Sequence, residues 1–109
     1  MTRENGNIVE RFKDGKVEWF VPMIKVNGKS IKHGLALNYY PSGQIKIERE
    51  YVDGEVQGIE RFYHPDGTIM HEIAFVNGLK DGAAVYYDKA GAVKRVVYYA
   101  KGDRIGDGV

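Results

Sequence analysis

Hydrophobic and polar residues alternate along this chain in short runs, and each run stops at a glycine. Residues 59–66 (Ile-Glu-Arg-Phe-Tyr-His-Pro-Asp) lie between Gly58 and Gly67, and residues 68–77 (Thr-Ile-Met-His-Glu-Ile-Ala-Phe-Val-Asn) between Gly67 and Gly78. Both runs have strand length, and both are rich in the β-branched and aromatic residues that fit a pleated surface. Pro41-Ser42-Gly43, Pro65-Asp66-Gly67 and Lys89-Ala90-Gly91 stop the runs at one end; Asp53-Gly54, Asn77-Gly78 and Lys101-Gly102 stop them at the other. These segments place glycine where a hairpin needs positive φ. The pattern predicts strand, turn, strand, turn, with hardly any helix.

The stops are periodic. Gly34, Gly58, Gly82 and Gly106 form one column, Gly43, Gly67 and Gly91 a second, and Gly54, Gly78 and Gly102 a third, every step being 24 residues. A fixed period of this size marks a repeat architecture. Gly6 and Gly15 repeat the spacing of Gly34 and Gly43, and Val26-Asn27-Gly28 echoes Val76-Asn77-Gly78, so the amino-terminal segment reads as a divergent copy enlarged by two insertions of two residues. An even insertion preserves strand alternation, so this copy is expected to stay in the same sheet. The expectation is a single all-β domain over residues 1–109. It is an antiparallel meander of about eight strands built from hairpin copies at 6–33, 34–57, 58–81 and 82–106, forming one curved or rolled sheet.

Uninterrupted alternation assigns the faces. One face takes Leu35, Leu37 and Tyr39, Ile59, Arg61 and Tyr63, and Ala83, Val85 and Tyr87 from the first strands. It takes Ile45, Tyr51, Ile69, Phe75, Val93 and Tyr99 from the second strands. Repeated aromatic and β-branched columns suit cross-strand packing, so this face is expected to be the core. The opposite face is wet in the second copy (Ala36, Asn38, Tyr40, Lys46, Glu48, Glu50) but carries Ala84, Tyr86, Lys94, Val96, Tyr98 and Ala100 in the fourth. A solvated face that loses charge and gains Tyr and Val reads as an interaction patch or as an end buried by the curling sheet. Tyr86, Val96 and Tyr98, extended by Phe62 and Tyr40, are the candidate partner-binding residues.

Composition narrows the function class. Sixteen basic and fifteen acidic residues leave a formal charge of +1, and no global field draws the chain to nucleic acid or an anionic membrane. Lys13, Lys25, Lys29 and Lys32 gather near the amino terminus but are diluted by Glu10, Asp14 and Glu18. No cysteine is present, which removes thiol nucleophiles and thiolate metal sites. The amino terminus lacks the apolar stretch of a signal peptide, and no run approaches a membrane span, which suggests a cytoplasmic protein.

Catalytic chemistry is hard to find. His33, His64 and His71 fall in different columns without metal-ligand spacing. His64 and His71 sit on opposite strands of one expected hairpin beside Glu72, the one place where a zinc or acid–base site has any material. Ser30 and Ser42 lie in turns outside any nucleophile motif. Glu48 and Glu72 share a repeat column, as an exposed polar stripe does. Residues 103–108 lack the spacing of a calcium loop, and no phosphate cradle is present. No enzyme activity, metal or cofactor is expected.

The order glycine, aromatic pair, x-x-glycine, then a strand ending in an aromatic before x-x-glycine runs from Gly34 through Tyr39-Tyr40 and Gly43 to Tyr51 and Gly54. Phe62-Tyr63 with Phe75, and Tyr86-Tyr87 with Tyr99, repeat it. This pattern resembles the variant MORN repeat of bacterial antitoxin-like proteins, well over residues 34–106 and weakly over 6–33. Trp19, Phe20, Pro22 and Met23 depart from it in the enlarged copy. The resemblance implies a sheet of hairpins used for binding: a protein-interaction module of the antitoxin or immunity type that occludes a toxin or other enzyme. The alternatives are a homodimeric scaffold and, by analogy with eukaryotic repeats, a lipid-binding protein.

Overall fold

Turn chemistry decides where the chain reverses. The computed structural model describes residues 2–108; Met1 and Val109, the ends of the expected 1–109 domain, lie outside the described residues. Loops at 12–16, 40–44, 64–68 and 88–92 close with the same pair of backbone hydrogen bonds, such as Tyr40 N–H to the Gln44 carbonyl and Gly43 N–H to the Tyr40 carbonyl, each 2.9 Å. Gly15, Gly43, Gly67 and Gly91 complete these loops at φ 92°, 93°, 90° and 88°, where a side chain would be strained. At the opposite ends of the strands, Asn5-Gly6, Asn27-Gly28, Asp53-Gly54, Asn77-Gly78 and Lys101-Gly102 have positive φ at both residues. That is the two-residue turn whose twist matches the flanking strands.

Lys101 holds φ 48° where its four counterparts are Asn or Asp. Short polar side chains tolerate this left-handed region through local hydrogen bonds, and lysine lacks that help. Lys101→Asn is therefore expected to stabilise the fold by about 0.5–1 kcal/mol, a rise of a few degrees in Tm. A thermal melt with unchanged or lower Tm would contradict this.

Among the described residues thirteen strands run between the corners: β1 (Thr2–Glu4), β2 (Asn7–Arg11), β3 (Val17–Val21), β4 (Met23–Val26), β5 (Lys29–Lys32), β6 (Gly34–Tyr39), β7 (Ile45–Val52), β8 (Glu55–Val56), β9 (Gly58–Tyr63), β10 (Ile69–Val76), β11 (Leu79–Tyr87), β12 (Val93–Ala100) and β13 (Asp103–Asp107). The expected meander is present as β2, β3, β6, β7, β9, β10, β11 and β12, with short strands added around it. The main sheet runs β1-β2-β3-β6-β7-β9-β10-β11-β12-β13, and β8 pairs with the end of β7. Every pairing is antiparallel. In the enlarged copy β2 and β3 join this sheet, but β4 and β5 pair only with each other as a separate hairpin. Tip turns are tied laterally: Gly54, Gly78 and Gly102 donate their N–H groups to the carbonyls of Lys32, Val56 and Lys80 at 2.8, 2.9 and 2.8 Å.

A recurrent bulge overturns the expected faces. Asn38 stands opposite Ile47, but Tyr39 stands opposite Ile45, which leaves Lys46 without a partner. Glu18, Met70 and Lys94 take the same place in the other hairpins. One extra residue flips every side chain beyond it to the other face. Tyr51, Phe75 and Tyr99 therefore do not join Leu35, Ile59 and Ala83. They pack with the residues that simple alternation leaves wet: Val21, Ala36 and Tyr51 form one buried cluster with Trp19 and Met23 against it, and Ile73, Ala84 and Val97 another with Phe75, Tyr86 and Tyr99. The expected core face is the more open one, with Leu35 47%, Ile59 42% and Val93 48% exposed, while Ala36 and Ala84 are fully covered.

The whole measures 44 × 35 × 14 Å. Ten strands of the described residues lie side by side along one path from β1 to β13, which does not close on itself. The sheet is open, in a single layer, and its stability comes from cross-strand rows within each face.

Candidate binding face

Register builds one continuous row across the packed face. From β2 to β12 it runs Glu10, Trp19, Asn38, Ile47, Phe62, His71, Tyr86, Arg95, each residue opposite the next. Its ends are charged, and its middle is aromatic or aliphatic apart from Asn38. That amide is only 5% exposed and donates to the Glu18 carbonyl at 2.9 Å. His71 lies between Phe62 and Tyr86, with ring centroids 4.2 and 5.3 Å away. Burial holds its imidazole below the ordinary histidine range, so at neutral pH it acts as part of the aromatic surface.

Beside this row, Arg49 Nε donates to Glu60 Oε2 at 2.5 Å, and the guanidinium lies 5.7 Å from the Trp19 ring centroid. Burial opposes the charge on Arg49, but its hydrogen bond to Glu60 and the influence of nearby Tyr51 leave its pKa raised. The pair fastens the enlarged first copy to the second and third.

Phe62 and Tyr86, expected as partner-binding residues, both stand in the row. Val96 and Tyr98 do not: beyond the bulge at Lys94 they face the other way, opposite Val85 and Ala83. Tyr40 opens the 40–44 loop, where its hydroxyl donates to the Tyr63 carbonyl at 2.7 Å and the Lys46 ammonium lies 5.5 Å from its ring. The five do not make one stripe. Trp19, Ile47, His71 and Arg95 are the row members that alternation alone does not reveal.

The opposite face carries its own row: Val9, Phe20, Leu37, Glu48, Arg61, Glu72, Val85, Val96. Its centre is a ladder of ions, not a free polar stripe. Arg61 Nε donates to Glu72 Oε2 at 2.8 Å, Tyr87 donates its hydroxyl to Glu72 at 2.6 Å, and Tyr63 donates to Glu48. Burial and the Glu48 carboxylate push the Tyr63 pKa up to about 12. Because the folded value is raised, the stability it contributes is full below the unfolded tyrosine range near 10 and is lost as pH rises toward about 12. An absorbance titration is expected to show late-ionising tyrosines, Tyr63 and Tyr87, of which Tyr63 moves earlier in Glu48→Gln; an unchanged curve would contradict the ladder.

Between the third and fourth copies the packed face opens into a hollow of about 500 Å³ bordered by His64, Met70, His71, Tyr86, Lys94 and Arg95. Among the described residues no three His, Cys, Asp or Glu side chains converge as a metal site. No helix of the described residues is long and apolar enough to cross a membrane.

Residues 32–53 and 56–77 match the MORN repeat variant. Each matched segment ends on the left-handed residue of a tip turn, Asp53 or Asn77, and takes in one hairpin, β6–β7 or β9–β10. MORN repeats are generally used to bind proteins or membrane lipids. No curated protein and no solved structure matches the chain.

Proposed function

We propose that the four MORN-like copies over residues 1–109 form a protein-binding module. It seats its partner on the row from Trp19 to Arg95, in the manner of a small inhibitor covering an enzyme. The row itself is the observation that carries this reading. Trp, Tyr, Phe and Arg dominate protein interfaces when they lie at the contact centre, and here register lines them up across a sheet with no second layer over it. An inhibitory role, with a toxin-class enzyme as the partner, rests on the resemblance to antitoxin-like repeat proteins.

The test is affinity capture from a native lysate. Phe62→Glu/Tyr86→Glu is expected to weaken retention of one stoichiometric partner at least about tenfold. Leu35→Glu/Tyr98→Glu, on exposed positions of the other face, should leave it intact. Circular dichroism confirms that both variants fold. The reverse pattern would contradict the face assignment, and capture of nothing but the chain itself would favour the homodimeric scaffold.

A further inference from the structure

We infer that the hollow at the Arg95 end of the row is the anchor for an acidic segment of the partner, one presenting carboxylates next to an aromatic or aliphatic side chain. This rests on the protein-binding reading and specifies the partner's chemistry. Lys89, Lys94 and Arg95 border the hollow together with His64 and His71. Lys89, Lys94 and Arg95 are exposed, and among the described residues none of the three forms an ion pair. The one carboxylate on the rim, Asp88, is already engaged: its Oδ1 accepts the N–H groups of Ala90 and Ala92 at 2.9 and 3.0 Å and holds the loop shut. The floor is apolar and aromatic, from Met70, His71 and Tyr86, with the Arg95 guanidinium 5.8 Å from the Tyr86 ring centroid.

The repeat frame does not ask for these cations. Arg95 occupies the place that Trp19, Ile47 and His71 take in the other copies. Lys94 is the bulge residue, which is Glu18, Lys46 or Met70 elsewhere. Lys89 stands at the loop position held by Lys13, Pro41 and Pro65 in the other copies. Only in the fourth copy do the three positions all become basic, in a chain whose net charge is only +1. Unpaired cations at the rim of an aromatic floor steer and orient a partner of opposite charge. A free aromatic side chain from the partner would continue the stack begun by Phe62, His71 and Tyr86.

Fluorescence anisotropy tests this with a labelled octapeptide of alternating glutamate and tyrosine, run against the full chain beside the same peptide with lysine for glutamate. The glutamate peptide is expected to bind and the lysine peptide not. Affinity should fall at least about tenfold in Lys94→Glu/Arg95→Glu and on raising salt from about 0.05 M to about 0.5 M. Lys25→Glu/Lys29→Glu, on the β4–β5 hairpin, should bind as wild type. Equal loss in that control pair, no binding of the glutamate peptide, or binding only of phosphatidylserine vesicles through Lys94 and Arg95 would each overturn the inference. The partner capture separates the two readings: a partner lost from Phe62→Glu/Tyr86→Glu but held by Lys94→Glu/Arg95→Glu ends this inference and leaves the protein-binding face standing.

Discussion

Arg49→Met is expected to destabilise the fold by about 2–4 kcal/mol, and Arg49→Met/Glu60→Leu to recover most of that loss. Glu60 is 7% exposed, and the Arg49 side chain is 22% exposed. Removing the arginine leaves a nearly covered carboxylate with no counter-charge, which costs far more than the intact pair contributes. Replacing both groups with apolar side chains removes the desolvation penalty together with the attraction. Trp19, the only tryptophan, lies against Arg49, so urea unfolding followed by its fluorescence reads the site directly. Equal stability of the single variant and wild type would mean that the pair is solvated and that the packed face is not closed around it.

The second large effect separates glycines that look identical in the sequence. Gly34, Gly58 and Gly106 share one repeat column, yet the backbone uses them differently. Gly34 has φ 118°, and a Cβ there would lie 2.9 Å from Pro22 Cγ; Gly58 has φ 90° with open space around it. Gly106 is outside the positive-φ region and has nothing within 4 Å. Gly34→Ala should therefore cost about 2–4 kcal/mol, combining backbone strain with a clash against a rigid ring, and Gly58→Ala about 1–2 kcal/mol from strain alone. Gly106→Ala should stay within about 0.5 kcal/mol of wild type. Denaturant midpoints give the order, and equal costs at Gly34 and Gly106 would show that the column is uniform after all.

Much of this fold is legible in the residues, because turn chemistry is local. Asn-Gly and Asp-Gly pairs and the Pro-x-Gly loops mark most reversals of the meander, and the 24-residue period marks the remaining ones at Lys89-Ala90-Gly91 and Lys101-Gly102. Simple alternation misassigns the faces because the bulge leaves no mark in a period of two: Lys46, Met70 and Lys94 are ordinary strand residues by type. One signal was available. Arg61 has no business in an apolar column between Ile59 and Tyr63, and the flip that brings Glu48 and Glu72 to either side of it resolves the anomaly. The same flip explains why Phe62 and Tyr86 share a face while Val96 and Tyr98, which simple alternation sets beside Tyr86, lie on the other. The β4–β5 hairpin was unreadable for another reason, since an even insertion fits equally well inside a sheet or beyond its edge.

Binding through the packed face is tested most directly by footprinting with single cysteines, which is clean because the chain has none of its own. Phe62→Cys and Leu35→Cys proteins would be labelled with a maleimide, alone and with the captured partner bound. Phe62→Cys should be protected by the partner while Leu35→Cys labels at its free rate. Protection of Leu35→Cys with Phe62→Cys still reactive would place the partner on the opposite face and contradict the assignment of the binding surface.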